Sequence, residues 1–277
     1  INPASTGDAT NWADLQTANY YSAGCGSATR AVWSPILGDT NAINYIDYAS
    51  GGTSATFGDV FQADSEEGGA LSSSTRGCFA SGMAALSQDV ISYVTISSTG
   101  NASDFGDLTI ARNYLVGVAS ATRGLWCGGY ASGAETTRVD YITIASTGNA
   151  IDWGGIGRIG AQSGVFSGMG GANTVTAIYG GGNSGSYGNP INQIESATIA
   201  TLGNFIDFGD LASPTKNGAA GSSSTRVVFG GGDVTGGVKT DKMEYVTIAS
   251  AGNAVDFGDL SAAMRYLAGA SSIQGNF

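Results

Sequence analysis

The same phrase recurs along this chain. "YVTISSTGNASDFGDL" begins at Tyr93, "YITIASTGNAIDWGGI" at Tyr141 and "YVTIASAGNAVDFGDL" at Tyr245. The aromatic inside the "D-F-G-D-L" element serves as a marker: Trp12, Phe57, Phe105, Trp153, Phe208 and Phe257, with spacings of 45, 48, 48, 55 and 49 residues. The aromatic after the turn "SS-x-T-R" gives a second set, Trp33, Phe79, Trp126, Tyr179, Phe229 and Phe277. Each set has six members. A unit of this length cannot bury its apolar face alone, so it must stack on its neighbours.

Within a unit the residues read as strands. "YLVGVAS" (114–120) and "RGLWCGGY" (123–130) are apolar and bounded by turn formers, and "VDYITIAS" (139–146) alternates. "NAIDWGG" (149–155) is short and closes on glycine. No helical period of useful length appears, and glycine recurs too often to tolerate one. Four short strands per unit predict an all-β, six-bladed β-propeller with four-stranded blades, a single domain over 1–277. The aromatics are the expected filling between blades. Aligning the ends places Phe277 level with Phe229 and Ile1 level with Val246. A sixth blade would thus be built from about 1–15 plus 261–277, closed by both termini.

The run "GLWCGG…VDYITIASTGNAIDWGGI" resembles a kelch repeat, with its diglycine, its tyrosine strand and its tryptophan strand. The basic residue that follows the tryptophan strand in kelch repeats has counterparts in Arg112, Lys216 and Arg265. Tryptophan gives way to phenylalanine in four units. The diglycine reads as Gly128-Gly129, Gly180-Gly181 and Gly230-Gly231, and is lost at Ser34-Pro35 and Ala80-Ser81. The narrower wording "YVTIASTGNAxDFGDL" is similar to kelch-like repeats in tail-fibre-like and structural proteins of marine bacteriophages. The resemblance implies a non-enzymatic module of a tail fibre or capsid decoration, at a virion surface or extracellular, whose partners are other virion proteins and a host-surface glycan or protein.

Composition narrows the chemistry. The 45 glycines lie among apolar runs with only 4 prolines, which speaks for tight turns rather than collagen or disorder. A net charge of −11 with 11 basic residues lacks the footprint of nucleic-acid or anionic-lipid binding. No apolar stretch approaches the length of a membrane helix. The chain begins with Ile1 and no signal-like segment precedes the pattern, so it is expected to be processed or part of something longer. Histidine is absent, which removes Ser-His-Asp and Cys-His catalysis, every His-ligated metal site and the copper oxidase site of some kelch-type propellers. Cys25, Cys78 and Cys127 fall at different places in the repeat and read as buried thiols. No cofactor is expected.

In an antiparallel meander, connections alternate between two faces. The turns "SSSTR", "SATR" and "STGN" on one face are monotonous and read as backbone-bonded turn chemistry. The opposite face carries the segments that vary, among them "YASGAETTRVD" and "GGNSGSYGNPINQIE". Variable loops on a rigid scaffold are where binding sites sit. Tyr130, Asn183, Tyr187 and Asn189 there are candidates to stack on or hydrogen-bond a sugar, with Arg112 and Arg265 as anchors.

Repeated charges offer other readings. Asp14, Asp59, Asp107, Asp210 and Asp259 follow the marker by two residues, and Asp104, Asp152, Asp207 and Asp256 precede it. Calcium ligation is one role for the first set, and carboxylates accepting backbone N–H groups is another. Arg30, Arg76, Arg123 and Arg226 recur once per unit, with Thr176 and Gln274 in the remaining two. They suggest a repeated Asp–Arg pair at the turns. A sialic-acid cluster would need three of them to converge. Asp64, Glu66, Glu67, Glu135 and Glu195 leave a glycosidase pair formally open, although no spacing selects two of them. The alternative function is a secreted bacterial propeller acting as a lectin or glycan hydrolase; an intracellular adaptor is a third.

Overall fold

The structure is a computed structural model that describes residues 1–16, 22–34, 41–61, 68–80, 87–157, 164–185 and 189–271. The described residues are all-β. Five four-stranded antiparallel meanders follow one another, the third extended by a short parallel fifth strand, Gly203–Asn204. Sheet I comprises Gly24–Gly26, Arg30–Trp33, Ala42–Asp47 and Ala55–Asp59; sheet II comprises Gly69–Ser72, Arg76–Ala80, Val90–Thr95 and Ser103–Asp107. Sheet III runs through Val116–Ala119, Arg123–Cys127, Arg138–Thr143 and Ile151–Gly155. Sheet IV is Met169–Ala172, Thr176–Gly180, Gln193–Thr198 and Ile206–Asp210, and sheet V is Ala219–Ser222, Arg226–Gly230, Lys242–Thr247 and Val255–Asp259. Each strand pairs with the one before it, so every sheet is a meander.

The core lies between sheets. Strand residues point alternately to two faces, and both faces of sheets II, III and IV meet a neighbouring sheet. One cluster joins Val32, Ile43 and Phe57 of sheet I to Phe79, Val94 and Ile96 of sheet II. Another joins Phe105 and Leu108 to Trp126 and Ile142, a third joins Trp153 and Leu125 to Tyr179 and Phe205, and a fourth joins Phe208 and Ile178 to Phe229 and Val246. The marker aromatics Phe57, Phe105 and Phe257 stand edge-on to Tyr45, Tyr93 and Tyr245 of the adjacent strand, with centroids 5.7, 5.9 and 6.0 Å apart. Trp12 departs from this pattern and is half exposed.

Two polar ties repeat between sheets. The turn between the third and fourth strands carries an asparagine whose Oδ1 accepts a main-chain N–H of the preceding sheet. Asn101 takes that of Asp59, Asn149 that of Asp107, Asn204 that of Gly155 and Asn253 that of Asp210, at 3.0–3.1 Å. The aspartate set after the marker thus contributes its backbone here rather than its carboxylates. The arginines form the second tie. Arg30, Arg76, Arg123 and Arg226 lie over Tyr45, Tyr93, Tyr141 and Tyr245 at 4.3–4.7 Å. The first three donate onward to the carbonyls of Ile96, Ile144 and Ile199 in the next sheet. Among the described residues, Arg30 alone of these four also pairs with an aspartate, Asp47. The expected Asp–Arg lock is therefore replaced by a cation stacked on tyrosine, which leaves its fork free to reach a neighbouring backbone.

The N-terminal segment supplies the same ties to sheet V. Asp8 Oδ1 accepts the Asp259 N–H, and Gly7 and Ala9 donate to the carbonyls of Phe257 and Asp259. Pro3 O accepts from Arg226 at 3.2 Å, the part that Ile96, Ile144 and Ile199 play elsewhere. Ala13–Asp14 then pairs in parallel with Gly52–Thr53, in the connection between the third and fourth strands of sheet I. At the other end, a Cβ on Gly24 would stand 2.7 Å from the Gly269 carbonyl oxygen, and one on Gly269 would overlap that of Ala220. Residue 269 therefore lies between the first strands of sheets V and I. The expected placement of Phe277 in a strand lies outside the described residues. Replacing Arg226 by Met is expected to speed hydrogen exchange at the Gly7 and Ala9 amides several-fold while leaving Gly148 and Ala150 unchanged.

A row of left-handed residues precedes the first strands of sheets III, IV and V and continues to residue 266. Tyr114, Ser167, Asn217 and Tyr266 have φ of 56 to 59°. Ser167 N–H donates to Tyr114 O, Asn217 to Ser167 and Tyr266 to Asn217, at 2.7 to 3.0 Å. Such φ values are costly for residues with a Cβ, and these inter-sheet bonds hold them. These four residues and the small residues beyond them line a cavity of about 140 Å³. The glycine pairs also fall differently from the sequence reading. The left-handed pairs are Gly128-Gly129, Gly181-Gly182 and Gly231-Gly232, one residue later in two units, because register counts from the strand aromatic.

Candidate functional site: the rim of variable connections

The variable connections begin at equivalent points. Tyr130, Asn183 and Asp233 each stand four residues after their strand aromatic and bridge, antiparallel, to Asn113, Phe166 and Lys216. From these bridges Tyr130–Ala131 and Ala134–Glu135 form one short hairpin, and Asp233–Val234 and Val238–Lys239 another. Ser132 and Gly133, both at positive φ, turn the first hairpin; Gly236 and Gly237 turn the second.

Two of the sequence candidates gather here around one aromatic. Tyr130 is half-buried, donates its hydroxyl to Gly133 O at 2.7 Å and stands edge-on to Phe166 at 5.5 Å. Tyr114 lies against the same Phe166 at 5.7 Å. Asn183 exchanges backbone bonds with Phe166 and is fully buried, so it belongs to the base of the rim rather than to its surface. Asn189 is exposed, with its carbonyl accepting the Ser184 N–H. Tyr187 lies outside the described residues. Glu135 Oε1 accepts the Gly185 N–H at 3.0 Å and ties this hairpin to the next connection.

The two arginine anchors separate. Arg265 sits on the rim over Tyr266 and pairs with Asp233 at 3.2 Å. Asp233 is buried, and Asn217 Nδ2 donates to its other oxygen at 2.9 Å. Burial lowers the Lys216 ammonium beside it, against the pull of Asp233. Arg112 is a correction. Its side chain has no exposed surface and pairs with the equally buried Asp140 at 2.8 Å, with Trp126 O as a further acceptor at 3.1 Å. Counted from the marker, Arg112 stands seven residues on, whereas Lys216 and Arg265 stand eight. That single step turns a side chain from the rim into the gap between sheets II and III.

Asp140 was not singled out in the sequence, where it reads as one polar residue of an alternating strand. It also accepts from Thr109 N–H and Oγ1–H at 3.1 and 2.7 Å. Its counterpart in sheet V is Glu244, which accepts the Ala212 N–H at 3.3 Å. Glu195 is the sheet IV counterpart and is buried, so it is not the surface acid that a glycosidase pair needs. Asp64, Glu66 and Glu67 lie outside the described residues. Asp104 and Asp152 accept the N–H two residues on, the turn role expected of them. Among the described residues no three His, Cys, Asp or Glu side chains gather as metal ligands. The three thiols are buried, and burial pushes all of them up.

Burial pushes the Glu244 carboxyl above the usual glutamate range, against the pull of the Ala212 N–H, with Asp256 adding to the rise. An acid held above its unfolded value binds its proton more tightly in the fold, so stability falls as pH rises through that window. Glu244→Gln is therefore expected to raise the melting temperature at neutral pH and to make no difference at a pH below both values. Thermal scans at the two pH values read this directly.

No model of a known protein family matches this chain, and no curated protein matches it.

Proposed function

We propose that this chain is a six-bladed, kelch-like propeller and that it serves as a binding module of a phage tail fibre or capsid appendage, presenting its variable rim to a host-surface glycan or protein. The ring closure is supported by the N-terminal segment, which repeats toward sheet V every tie that the sheets make with one another. In this reading residues 266–271 supply the innermost strand of the sixth blade, and the glycine- and alanine-rich first strands line the axis. The virion assignment rests on the similarity of the repeat wording to phage proteins.

The observation that carries the binding role is the braced rim. Tyr130, Asn189 and Arg265 offer a ring, an amide and a cation, while hydrogen bonds at Asn183, Glu135 and Asp233 brace the connections. A preorganised polar and aromatic surface suits sugars, whose faces stack and whose hydroxyls need fixed partners. A glycan array followed by incubation of the hits tests it. Saturable binding without release of reducing sugar is expected. Sugar release that disappears on Glu135→Gln would replace this reading with a hydrolase.

A further inference from the structure

The repeat provides its own template for a second site. Between sheets II and III, Arg112 reaches into the gap and its guanidinium meets Asp140 and Trp126 O. Between sheets IV and V the equivalent residue is Thr215, seven residues after its marker and two before the left-handed Asn217. The neighbours agree on the equivalence. A Cβ on Gly129 would stand 3.2 Å from Arg112 Cδ, and one on Gly232 would stand 3.0 Å from Thr215 Cγ2.

Threonine is too short to fill what arginine fills. A cleft of about 290 Å³ remains there, walled by Met169, Leu211 and Phe229, with Glu244 and Asp256 at its polar side. Glu244 replaces Asp140, and Phe229 pairs with Glu244 in the register in which Trp126 pairs with Asp140. Lys242, which lines the cleft, pairs with Asp259 at 2.8 Å. Among the described residues no ion pair serves Glu244. The cleft thus keeps the acceptors and the apolar walls of the Arg112 site without the arginine.

We propose that this cleft binds an arginine side chain of a polypeptide partner, its guanidinium on Glu244 and the Phe229 carbonyl and its methylenes against Met169, Leu211 and Phe229. A planar fork suits a carboxylate beside a carbonyl, and the stem suits the apolar walls. The net charge of −11 draws such a cation from a distance. The site does not depend on a phage origin or on closure of the ring.

Calorimetric titration with acetyl-Gly-Arg-Gly-amide tests it, with the citrulline peptide as the uncharged isostere. The arginine peptide should bind saturably at one site, and the citrulline peptide at least about tenfold more weakly, as for the loss of one charge-assisted bond. Glu244→Gln and Thr215→Arg should each weaken binding by about tenfold or more, the second because the chain then fills its own cleft. Melting temperatures at or above the parent's would show that both variants fold. Absence of saturable binding, equal binding of the citrulline peptide, or unchanged binding in folded Glu244→Gln would overturn the proposal.

Discussion

Replacing Arg112 by Met is expected to destabilise the fold by about 3–5 kcal/mol, the usual result of leaving one member of a buried ion pair without its partner. Asp140 would retain the Thr109 bonds but lose its counter-charge at a site with no exposed surface. The cost is mainly that of a stranded carboxylate. Hence the double variant Arg112→Met, Asp140→Leu should recover most of the loss, because neither charge then needs solvation in the gap between sheets. Urea denaturation of the parent, both single variants and the double variant gives the coupling energy. A single-variant cost below about 1 kcal/mol, the value of an exposed pair, would show that water reaches this site.

Gly154→Ala is the second large effect. This glycine follows the marker Trp153 and has a φ of +142°, and a Cβ on it would overlap the carbonyl oxygen of Gly203 in the next sheet. Neither atom is the end of a flexible side chain, so the backbones of sheets III and IV must part, breaking the parallel pairing of Gly154–Gly155 with Gly203–Asn204. Strain at φ and overpacking together are expected to cost roughly 2–5 kcal/mol. Gly133→Ala is the internal control. It also has positive φ but nothing within 4 Å of its Cβ, so it should lose only about 1 kcal/mol. Equal losses would mean that conformation alone, and not close passage of the next sheet, requires glycine in "D-W-G".

The repeat was legible as strands because period and turn chemistry are local. "VDYITIAS" and "NAIDWGG" became the third and fourth strands of sheet III within three residues at each end. What joins one unit to the next was not legible. Arg123 was matched to an aspartate by charge, yet it stacks on Tyr141 of its own sheet and reaches Ile199 O and Ala200 O of the next. Spacing gives a partner's type only when both lie on one element. The rim was found because connection length varies from unit to unit. Its supports were missed, since Asp140 and Asp233 look like ordinary polar residues until a buried cation is placed beside them. Arg112 was misplaced for a related reason: a one-residue offset in a loop is invisible to a repeat alignment, but it decides between solvent and core.

Ring closure requires the N-terminal segment to stand in for a sheet. Native-state hydrogen exchange at Gly7 and Ala9, measured against Gly148 and Ala150, tests this most directly. Both pairs donate to the fourth strand of the preceding sheet, to Phe257 and Asp259 in the first case and to Phe105 and Asp107 in the second. Closure predicts protection of Gly7 and Ala9 within about tenfold of their counterparts, a difference of about 1.4 kcal/mol in opening free energy. Exchange of Gly7 and Ala9 at the rate of an unstructured tail, with Gly148 and Ala150 still protected, would contradict it.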